Sequence, residues 1–268
     1  MDRIQRLKKR ISEEGMLLVM LSGGLDSTVL AMIASEVLGN NALAVTVDSP
    51  LVARTEMKRA CKMARNIGIK HEVISVDELE SREFRLNPPD RCYICRKIRD
   101  FSVIKMSHAL GFSLVADGMN ASDLLDFRPG LKAADEDGIW HPFIDLGITK
   151  DGIRDYARQR GLAGWDAPPT VGLCSRIPYG LEITPMKLSL IEKAEEFLLT
   201  LGFKEVRVRC LPYYTAMVEV NDPTLVMDLS GIIVTELRNM GFSFVTVDME
   251  GLERGKMNRI LDLDDGQV

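Results

Sequence analysis

The segment that most constrains the fold of this chain is MLLVMLSGGLDSTVLAMIAS, residues 16–35. The apolar run 16–21 has the length of a buried strand, and residues 27–38 are apolar at helical spacing and end at Gly39. Residues 22–27 must therefore turn the chain from a strand into a helix. Gly23 and Gly24 permit a sharp bend and let a ligand approach the backbone closely.

The turn has the chemistry of an anion site. Free N–H groups at the start of a helix, together with the hydroxyls of Ser22 and Ser27, form a nest that binds anions. A turn that merely needs small residues is the simpler interpretation. The full six-residue pattern between a strand and a helix favours phosphate binding. The stretch has neither the Gly-Lys-Ser/Thr ending of a Walker loop nor the Gly-x-Gly-x-x-Gly pattern.

Further strands and helices alternate along the first half of the chain. The patterns predict strands over 42–50, 70–78 and 113–120, and helices over 54–69 and 100–112. Such alternation predicts a parallel sheet whose ligands bind at the carboxyl ends of the strands. Those ends carry Ser22, Asp48 and the sequence Gly118-Met119-Asn120. Capping of the following segment is the alternative role for Asp48.

Composition limits the class of protein. The chain has 268 residues, of which 46% are hydrophobic and 27% charged, as in an ordinary globular protein. No uninterrupted apolar stretch approaches the roughly 18 residues of a membrane span. The charged start, MDRIQRLKKRISEEG, predicts a helix and not a secretory signal, so we expect a cytoplasmic protein. Five cysteines, an odd number, argue against a disulfide framework.

The second half of the chain changes character. Residues 166–185 are rich in proline, glycine and threonine, which predicts a linker and active-site loop. Helices over 184–203 and 222–240 then alternate with strands over 205–211, 215–220 and 242–248, and Thr184-Pro185 suits a helix start. We therefore predict an α/β domain over 1–170, the linker over 171–183, and a smaller α+β domain over 184–268.

The turn Ser-Gly-Gly-Leu-Asp-Ser resembles the pyrophosphate loop of the PP-loop ATP pyrophosphatases, which have the adenine nucleotide alpha hydrolase-like fold. With RCYICRK (91–97), DGMNASDLLDFRPGLKAADE (117–136), SRIPYG (175–180) and MEGLERGKMN (249–258), the chain resembles the LarE family. Members are ATP-dependent sulfur transferases that thiolate the pyridinium mononucleotide precursor of a nickel-pincer cofactor. The resemblance implies adenylylation of a substrate oxygen, followed by displacement of AMP by sulfur.

Ten residues are predicted to bind ATP, with Mg²⁺ bridging the phosphates near Asp26, which is also assigned a catalytic role. These residues are Ser22, Gly23, Gly24, Asp26, Ser27, Asp48, Gly118, Asn120, Asp123 and Arg128. The place of Asp48 resembles the position at which the superfamily holds adenosine. A helix cap remains the alternative role for Asp123.

Three cysteines form a candidate metal site. Cys92 and Cys95 form a C-x-x-C pair, and Cys174 is distant in sequence. Three thiolates can hold three irons of a 4Fe–4S cluster and leave the fourth iron open to bind sulfide. A zinc site with His141 as fourth ligand, a redox pair, and a nucleophilic Cys174 beside two structural cysteines remain alternatives. The three cysteines are expected in loops. Cys61 lies within an apolar helix and is expected in the hydrophobic core.

The sequence VGLCSR departs from one branch of the family. Members that sacrifice their own cysteine sulfur carry A-C-L-A-S-R, whereas this chain has Gly172 at the sacrificial position and Cys174 two residues later. The chain resembles the branch with an earlier C-x-x-C pair. That resemblance implies cluster-bound sulfur, a catalytic role for Cys174, and repeated turnover.

Two arginines in VRVR form a candidate phosphate site. Arg207 and Arg209 are two apart on a predicted strand, so both point to one face, which in the simplest case is solvated. The resemblance implies that they bind a substrate phosphate together with Glu195 and Arg176. Where the family commonly has histidine, this chain has Cys210.

Charge separates the two leading functions. The rival of a small-molecule sulfur transferase is an RNA-thiolating PP-loop enzyme, which would need a basic face. Residues 181–268 contain nine Lys and Arg against fifteen Asp and Glu. We therefore expect a small-molecule acceptor, sulfide or a sulfur-donor protein as the sulfur source, and a homo-oligomer. A nucleotide sensor without catalysis would not need the three cysteines.

Overall fold

The structure is a computed structural model that describes residues 2–125, 128–162, 171–253 and 255–261. The chain divides into a first unit, Met1–Glu78 with Cys92–Thr170, and a second unit, Leu79–Arg91 with Val171–Val268. Residues 79–91, which the sequence analysis placed in the first domain, thus group with the second. Among the described residues, no helix is both long and apolar enough to cross a membrane.

The strands of the first unit form one parallel sheet, as the alternating pattern predicts. Their spatial order is β3-β2-β1-β4, and each neighbouring pair is parallel. Leu17 of the first strand lies opposite Ala42, and Leu18 lies opposite Val115. The strands of both units are β1 (Leu17–Met20), β2 (Ala42–Asp48), β3 (Lys70–Ser75), β4 (Val115–Ala116), β5 (Val206–Leu211), β6 (Thr215–Val220) and β7 (Phe244–Val247).

Helices flank both sheets, and short 3-10 turns connect several elements. The helices of the described residues are α1 (Arg3–Glu14), α2 (Leu25–Leu38), α3 (Arg54–Ile67), α4 (Arg82–Arg85), α5 (Arg91–Ala109), α6 (Pro129–Glu136), α7 (Pro142–Asp145), α8 (Lys150–Gln159), α9 (Pro185–Thr200), α10 (Pro223–Asp228) and α11 (Ser230–Met240).

The core of the first unit explains its first elements. Leu7 and Ile11, one turn apart on the otherwise charged α1, are fully buried. They belong to one apolar cluster with Leu17 and Val19 of β1 and with Ile33 of α2. A strand buried on both faces reads as a continuous apolar run, which is why residues 16–21 resemble a parallel-sheet strand.

Two helices differ from the sequence prediction. The segment predicted as a helix over 100–112 begins nine residues earlier, at Arg91, so Cys92 and Cys95 lie in the first turns of α5. Our expectation that these cysteines lie in loops was wrong. The segment predicted as one helix over 222–240 is two helices, α10 and α11, which meet at Leu229.

The second unit is built on a mixed three-stranded sheet. β5 and β6 are antiparallel, whereas β6 and β7 are parallel, because α10 and α11 form a crossover between them. Helix α9 begins as predicted, since the Thr184 side chain accepts the Lys187 N–H and Pro185 occupies the first turn.

Asn87 fixes the loop that contains SRIPYG. Its buried side-chain amide donates to the carbonyl oxygens of Ile177, Pro178 and Leu181 at 3.2, 2.7 and 3.0 Å. The Arg91 guanidinium donates to Asn87 Oδ1 at 2.5 Å. Asn87 has φ of 57°, a left-handed conformation that asparagine tolerates better than most residues. These contacts give residues 79–91 their place in the second unit.

Candidate active site

The turn between β1 and α2 forms as predicted. Gly24 caps α2, whose first helical residue is Leu25, so Asp26 and Ser27 belong to its first turn. The Ser27 hydroxyl donates to the Gly24 carbonyl at 3.2 Å, and the Ser22 and Ser27 hydroxyls lie 3.0 Å apart. Ser22 Oγ accepts the Gly24 N–H at 3.3 Å. The first backbone N–H groups of α2 have no partner within the helix, so the turn offers donors to an anion.

Two glycines are required by close packing around this turn. A Cβ on Gly23 would lie 2.9 Å from the backbone nitrogen of Ala60, and Gly23 also has φ of +77°. A Cβ on Gly118 would lie 2.5 Å from the Ser27 nitrogen. The segment after β4 therefore lies directly against the start of α2, as the parallel sheet predicts.

Asp26 is the centre of the charged contacts. Lys150 Nζ lies 2.6 Å from both of its carboxylate oxygens, and Asn120 Nδ2 donates to Oδ2 at 3.3 Å. Burial raises the pKa of Asp26, although the hydrogen bond and charge of Lys150 oppose the rise. The structure thus brings together Asp26 and Asn120, which are 94 residues apart.

Lys150 was missed by sequence analysis. It is the first residue of α8, whose cap Thr149 accepts the Gly152 N–H at 3.4 Å. A cation at a helix N-terminus opposes the helix dipole, which favours anions there. A lysine directly after a capping threonine therefore indicates a functional residue, because its charge does not stabilise the helix at that end.

The remaining predicted nucleotide residues lie in two places. Asp123 Oδ2 accepts the Asn120 N–H at 2.9 Å, and its Oδ1 pairs with Arg128 at 2.8 Å. Asp123 therefore fixes the turn that contains Asn120. Asp48, at the end of β2, accepts from Arg54 Nη1 at 2.6 Å and is not the cap of α3, which is Ala53.

The three predicted cysteine ligands are thiols that belong to different units. Cys92 is exposed and Cys95 half-buried on α5 of the first unit, and Cys174 is half-buried in a 3-10 turn, Leu173–Arg176, of the second. Cys95 Sγ lies 3.9 Å from Glu78 Oε1. Cys61 is half-buried on α3, not in the core as we expected.

Thiols such as these can bind either an iron–sulfur cluster or zinc. Cys92 and Cys95 are one helical turn apart and are accessible thiols, the ligand type that iron–sulfur clusters use. His141, the suggested fourth zinc ligand, has its Nδ1 engaged by Asp117 at 2.7 Å, whereas its buried Nε2 has no hydrogen-bond partner among the described residues. Among residues that the structure describes, no three His, Cys, Asp or Glu side chains are grouped to hold a metal ion.

The predicted arginine site in the second unit is buried, so the alternative of a solvated strand face was wrong. Arg209 binds Glu219 through two contacts of 2.8 Å and donates to the Ser175 carbonyl at 2.8 Å. Arg176 binds Glu195 at 2.9 and 3.2 Å. Both guanidinium groups are therefore matched by carboxylates.

Arg207 differs from the other two arginines. It donates to the Glu253 carbonyl at 3.1 Å, and no carboxylate of the described residues lies within salt-bridge distance. Burial lowers the pKa of Arg207, and the neighbouring charges of Arg176 and Arg209 lower it further. A guanidinium in these surroundings gains most from an added anion. Cys210, on the other face of β5, is fully buried.

Comparisons with known proteins show which sequences this chain resembles. The asparagine synthase family profile matches residues 5–86. An uncharacterized protein of Synechocystis sp. is 39% identical over 97% of this chain and 98% of its own length. Pyridinium-3,5-bisthiocarboxylic acid mononucleotide synthase of Lactiplantibacillus plantarum is 31% identical over 91% of this chain and 89% of its own length. An uncharacterized protein of Methanocaldococcus jannaschii is 28% identical over 93% of this chain and 97% of its own length.

Proposed function

The chain belongs to the LarE family of PP-loop enzymes, and we propose that it is an ATP-dependent sulfur transferase that thiolates a ring carboxylate of a pyridinium mononucleotide. The observation that carries this proposal is the 31% identity to pyridinium-3,5-bisthiocarboxylic acid mononucleotide synthase over 91% of the chain. The product named for this relative is of the class used in nickel-pincer cofactor biosynthesis, and we propose the same role for this chain. The anion-binding turn and the charges at Asp26 support the ATP half of the reaction.

The first step is adenylylation. ATP lies with its phosphates on the turn 22–27, where the donors at the start of α2 face the anion. The Asp26 carboxylate would hold the Mg²⁺ that accompanies ATP, and that ion would neutralise phosphate charge. Lys150 Nζ, 2.6 Å from the same carboxylate, is placed to donate to a phosphate oxygen. The acceptor carboxylate attacks the α-phosphorus, and pyrophosphate leaves.

The second unit holds the acceptor. Arg207, the guanidinium that lacks a carboxylate partner among the described residues, binds the phosphate of the mononucleotide. Arg209 and Arg176 are held by Glu219 and Glu195, so they shape the site and contribute charge rather than new hydrogen bonds. This division refines the expectation that all three arginines bind the phosphate directly.

The second step delivers sulfur. A sulfur nucleophile attacks the acyl carbon of the adenylate, the bond from this carbon to the AMP oxygen breaks, and a thiocarboxylate and AMP are formed. We propose that Cys92, Cys95 and Cys174 hold a 4Fe–4S cluster, their accessible thiols being suitable ligands. When bound, the cluster would supply sulfide from free sulfide or a sulfur-donor protein.

The experiment is an anaerobic single-enzyme assay. Purified protein is analysed for iron, sulfide and zinc, and then incubated with ATP, Mg²⁺, sulfide and a pyridinium mononucleotide dicarboxylate. We expect one AMP and one pyrophosphate per thiocarboxylate, iron and sulfide in a 4:4 ratio, and several turnovers per chain. Asp26→Asn is expected to bind the acceptor but to release no pyrophosphate.

Other outcomes would contradict particular parts of the proposal. Loss of one sulfur from Cys174, detected by mass spectrometry as dehydroalanine, would make that cysteine the donor and exclude the cluster as source. Zinc in place of iron would exclude the cluster as well. Thiolation of transfer RNA but not of the mononucleotide would replace the acceptor. An enzyme that fails to cleave ATP with any acceptor would contradict the function as a whole.

A further inference from the structure

A buried ionic cluster lies beside the nucleotide turn in the first unit. Asp117 directly follows β4 and is 5% exposed. Its Oδ2 accepts from Arg96 at 2.7 Å, and its Oδ1 accepts from His141 Nδ1 at 2.7 Å and from the Met119 N–H at 3.0 Å. Three donors from three different segments thus converge on one carboxylate.

The carboxylate is held in its ionised form. Burial alone would raise the pKa of Asp117, but the hydrogen bond from His141 and the charge of Arg96 outweigh burial and lower it. Because an ionised carboxylate only accepts hydrogen bonds, His141 Nδ1 carries the proton. Arg96 also binds both oxygens of the buried Asp100, at 2.8 and 2.6 Å, so its own position is fixed.

The cluster determines where the next three residues lie. Gly118 is so close to α2 that a Cβ there would be 2.5 Å from the Ser27 nitrogen. Met119 is held by its hydrogen bond to Asp117, and Asn120 then reaches Asp26 at 3.3 Å. The Asp117 carboxylate therefore anchors a segment whose third residue contacts the centre of the site.

We propose that Asp117, clamped by Arg96 and His141, is a positioning residue that holds the turn Gly118–Asn120 in the conformation that binds the nucleotide. The proposal rests on the proposed function, since it deepens the description of the same ATP site. Arg96 follows Cys95 directly in α5, so the ion pair between Arg96 and Asp117 also fixes the start of α5 against this turn. Neither Arg96 nor His141 touches the nucleotide in this scheme.

The test uses neighbouring residues of one helix. Arg96→Met removes the buried partner of Asp117, whereas Lys97→Met removes a lysine that pairs with Asp137 at the surface of the same unit and serves as the matched control. Arg96→Lys keeps the positive charge and is therefore expected to show a smaller defect than Arg96→Met. Asp117→Asn removes the charge at constant size. All four are prepared as full-length protein and compared with the unchanged chain.

Two quantities are measured on each protein. Amide hydrogen exchange at Met119 and Asn120, recorded without ATP, is expected to accelerate roughly tenfold in Arg96→Met and Asp117→Asn. The dissociation constant of ATP with Mg²⁺ is expected to rise about tenfold in both, and kcat at saturating ATP to fall less than about threefold, because the turn binds ground state and transition state alike. Lys97→Met is expected to match the unchanged chain in both quantities.

The outcomes separate the two proposals. If the wild-type chain binds ATP and both Arg96→Met and Asp117→Asn bind it equally well, this inference is wrong. The proposed function then stands. Normal exchange at Met119 in both variants overturns it as well. An unchanged chain that does not bind ATP overturns the proposed function and this inference together. If Asp117→Asn does not fold, the comparison of Arg96→Met with Arg96→Lys decides.

Discussion

Replacing Gly118 by alanine tests the packing on which the nucleotide site depends. The new Cβ would lie 2.5 Å from the Ser27 nitrogen and 2.8 Å from the Asp26 carbonyl carbon, and both are backbone atoms that cannot rotate away. Ordinary contact needs about 3.5 Å, so the two segments must separate by roughly 1 Å. Overpacking of this kind costs about 1–3 kcal/mol of folding free energy.

The functional loss is expected to exceed the loss of stability. The added Cβ presses on the backbone of Asp26 and Ser27 at the start of α2, and not only on the turn after β4. A displacement of about 1 Å in groups that position the reacting phosphates costs roughly 100-fold in rate. Gly118→Ala should therefore remain folded but release pyrophosphate from ATP about 100-fold more slowly, as measured by a coupled pyrophosphate assay with the acceptor present. Thermal unfolding of the same sample separates the two effects.

Gly130→Ala is the matched control. Its added Cβ would be 3.6 Å from the Cys92 carbonyl oxygen, an ordinary contact, and residue 130 lies in α6, where alanine is favoured over glycine. Turnover should be unchanged and stability equal or higher. Wild-type turnover in Gly118→Ala would refute the reasoning, because it would mean that the contact between 118 and 27 does not set the geometry of the site.

Three further predictions concern charges. Lys150→Met should lower ATP cleavage roughly 100-fold, measured by pyrophosphate release, and wild-type rates would exclude a phosphate contact. Arg209→Met should destabilise the fold by about 3–5 kcal/mol, because it leaves Glu219 buried and unpaired. Arg207→Met should instead raise the KM of the phosphorylated acceptor at nearly unchanged stability. Chemical denaturation measures the stability of both variants, and steady-state kinetics measures the KM. The pKa of Asp117 is lowered in the folded state, so its contribution to stability is present at neutral pH and is lost as pH falls below about 4. The difference in unfolding free energy between the wild type and Asp117→Asn should therefore shrink below that pH. A difference that stays constant with pH would contradict this prediction.

The nucleotide turn could be predicted from sequence because its signals are local. The apolar run of β1, the two glycines and the apolar helix are adjacent in the chain, and the strand and helix formed within two residues of the predicted bounds. The Thr184 cap and the strand β6 (Thr215–Val220) were equally local. The parallel order of the sheet followed from alternation of strands and helices, a regularity that holds across such folds.

Contacts between distant residues could not be predicted in this way. Lys150 reaches Asp26 across 124 positions, and only the fold brings them together. Arg209 was predicted on one face of its strand together with Arg207, but its burial depends on Glu219 and on the Ser175 carbonyl, which a pattern of alternating residues does not reveal. Residue patterns predict a strand and which residues share a face of it. The partner of a buried charge depends on how distant segments pack in the tertiary structure.

The start of α5 was missed for a different reason, which bears on the cysteines. Cys95, Arg96 and Arg99 lie in its first turns, and the two arginines bind buried carboxylates, Asp117 and Glu78. Polar residues at helical spacing give no apolar stripe, so the hydrophobic period that predicts helices is absent there.

Two buried ion pairs are an expensive way to pack a helix. Removing these charges from water costs several kcal/mol per ion, and apolar side chains of similar volume would often stabilise the fold as well or better. What ion pairs add is a defined orientation. Arg96 binds the carboxylate that follows β4, and Arg99 binds Glu78, which also accepts from Ser49 just after β2. Both pairs therefore tie α5 to the strand ends beside the nucleotide turn, and they orient Cys95 relative to the site at which ATP is expected to react.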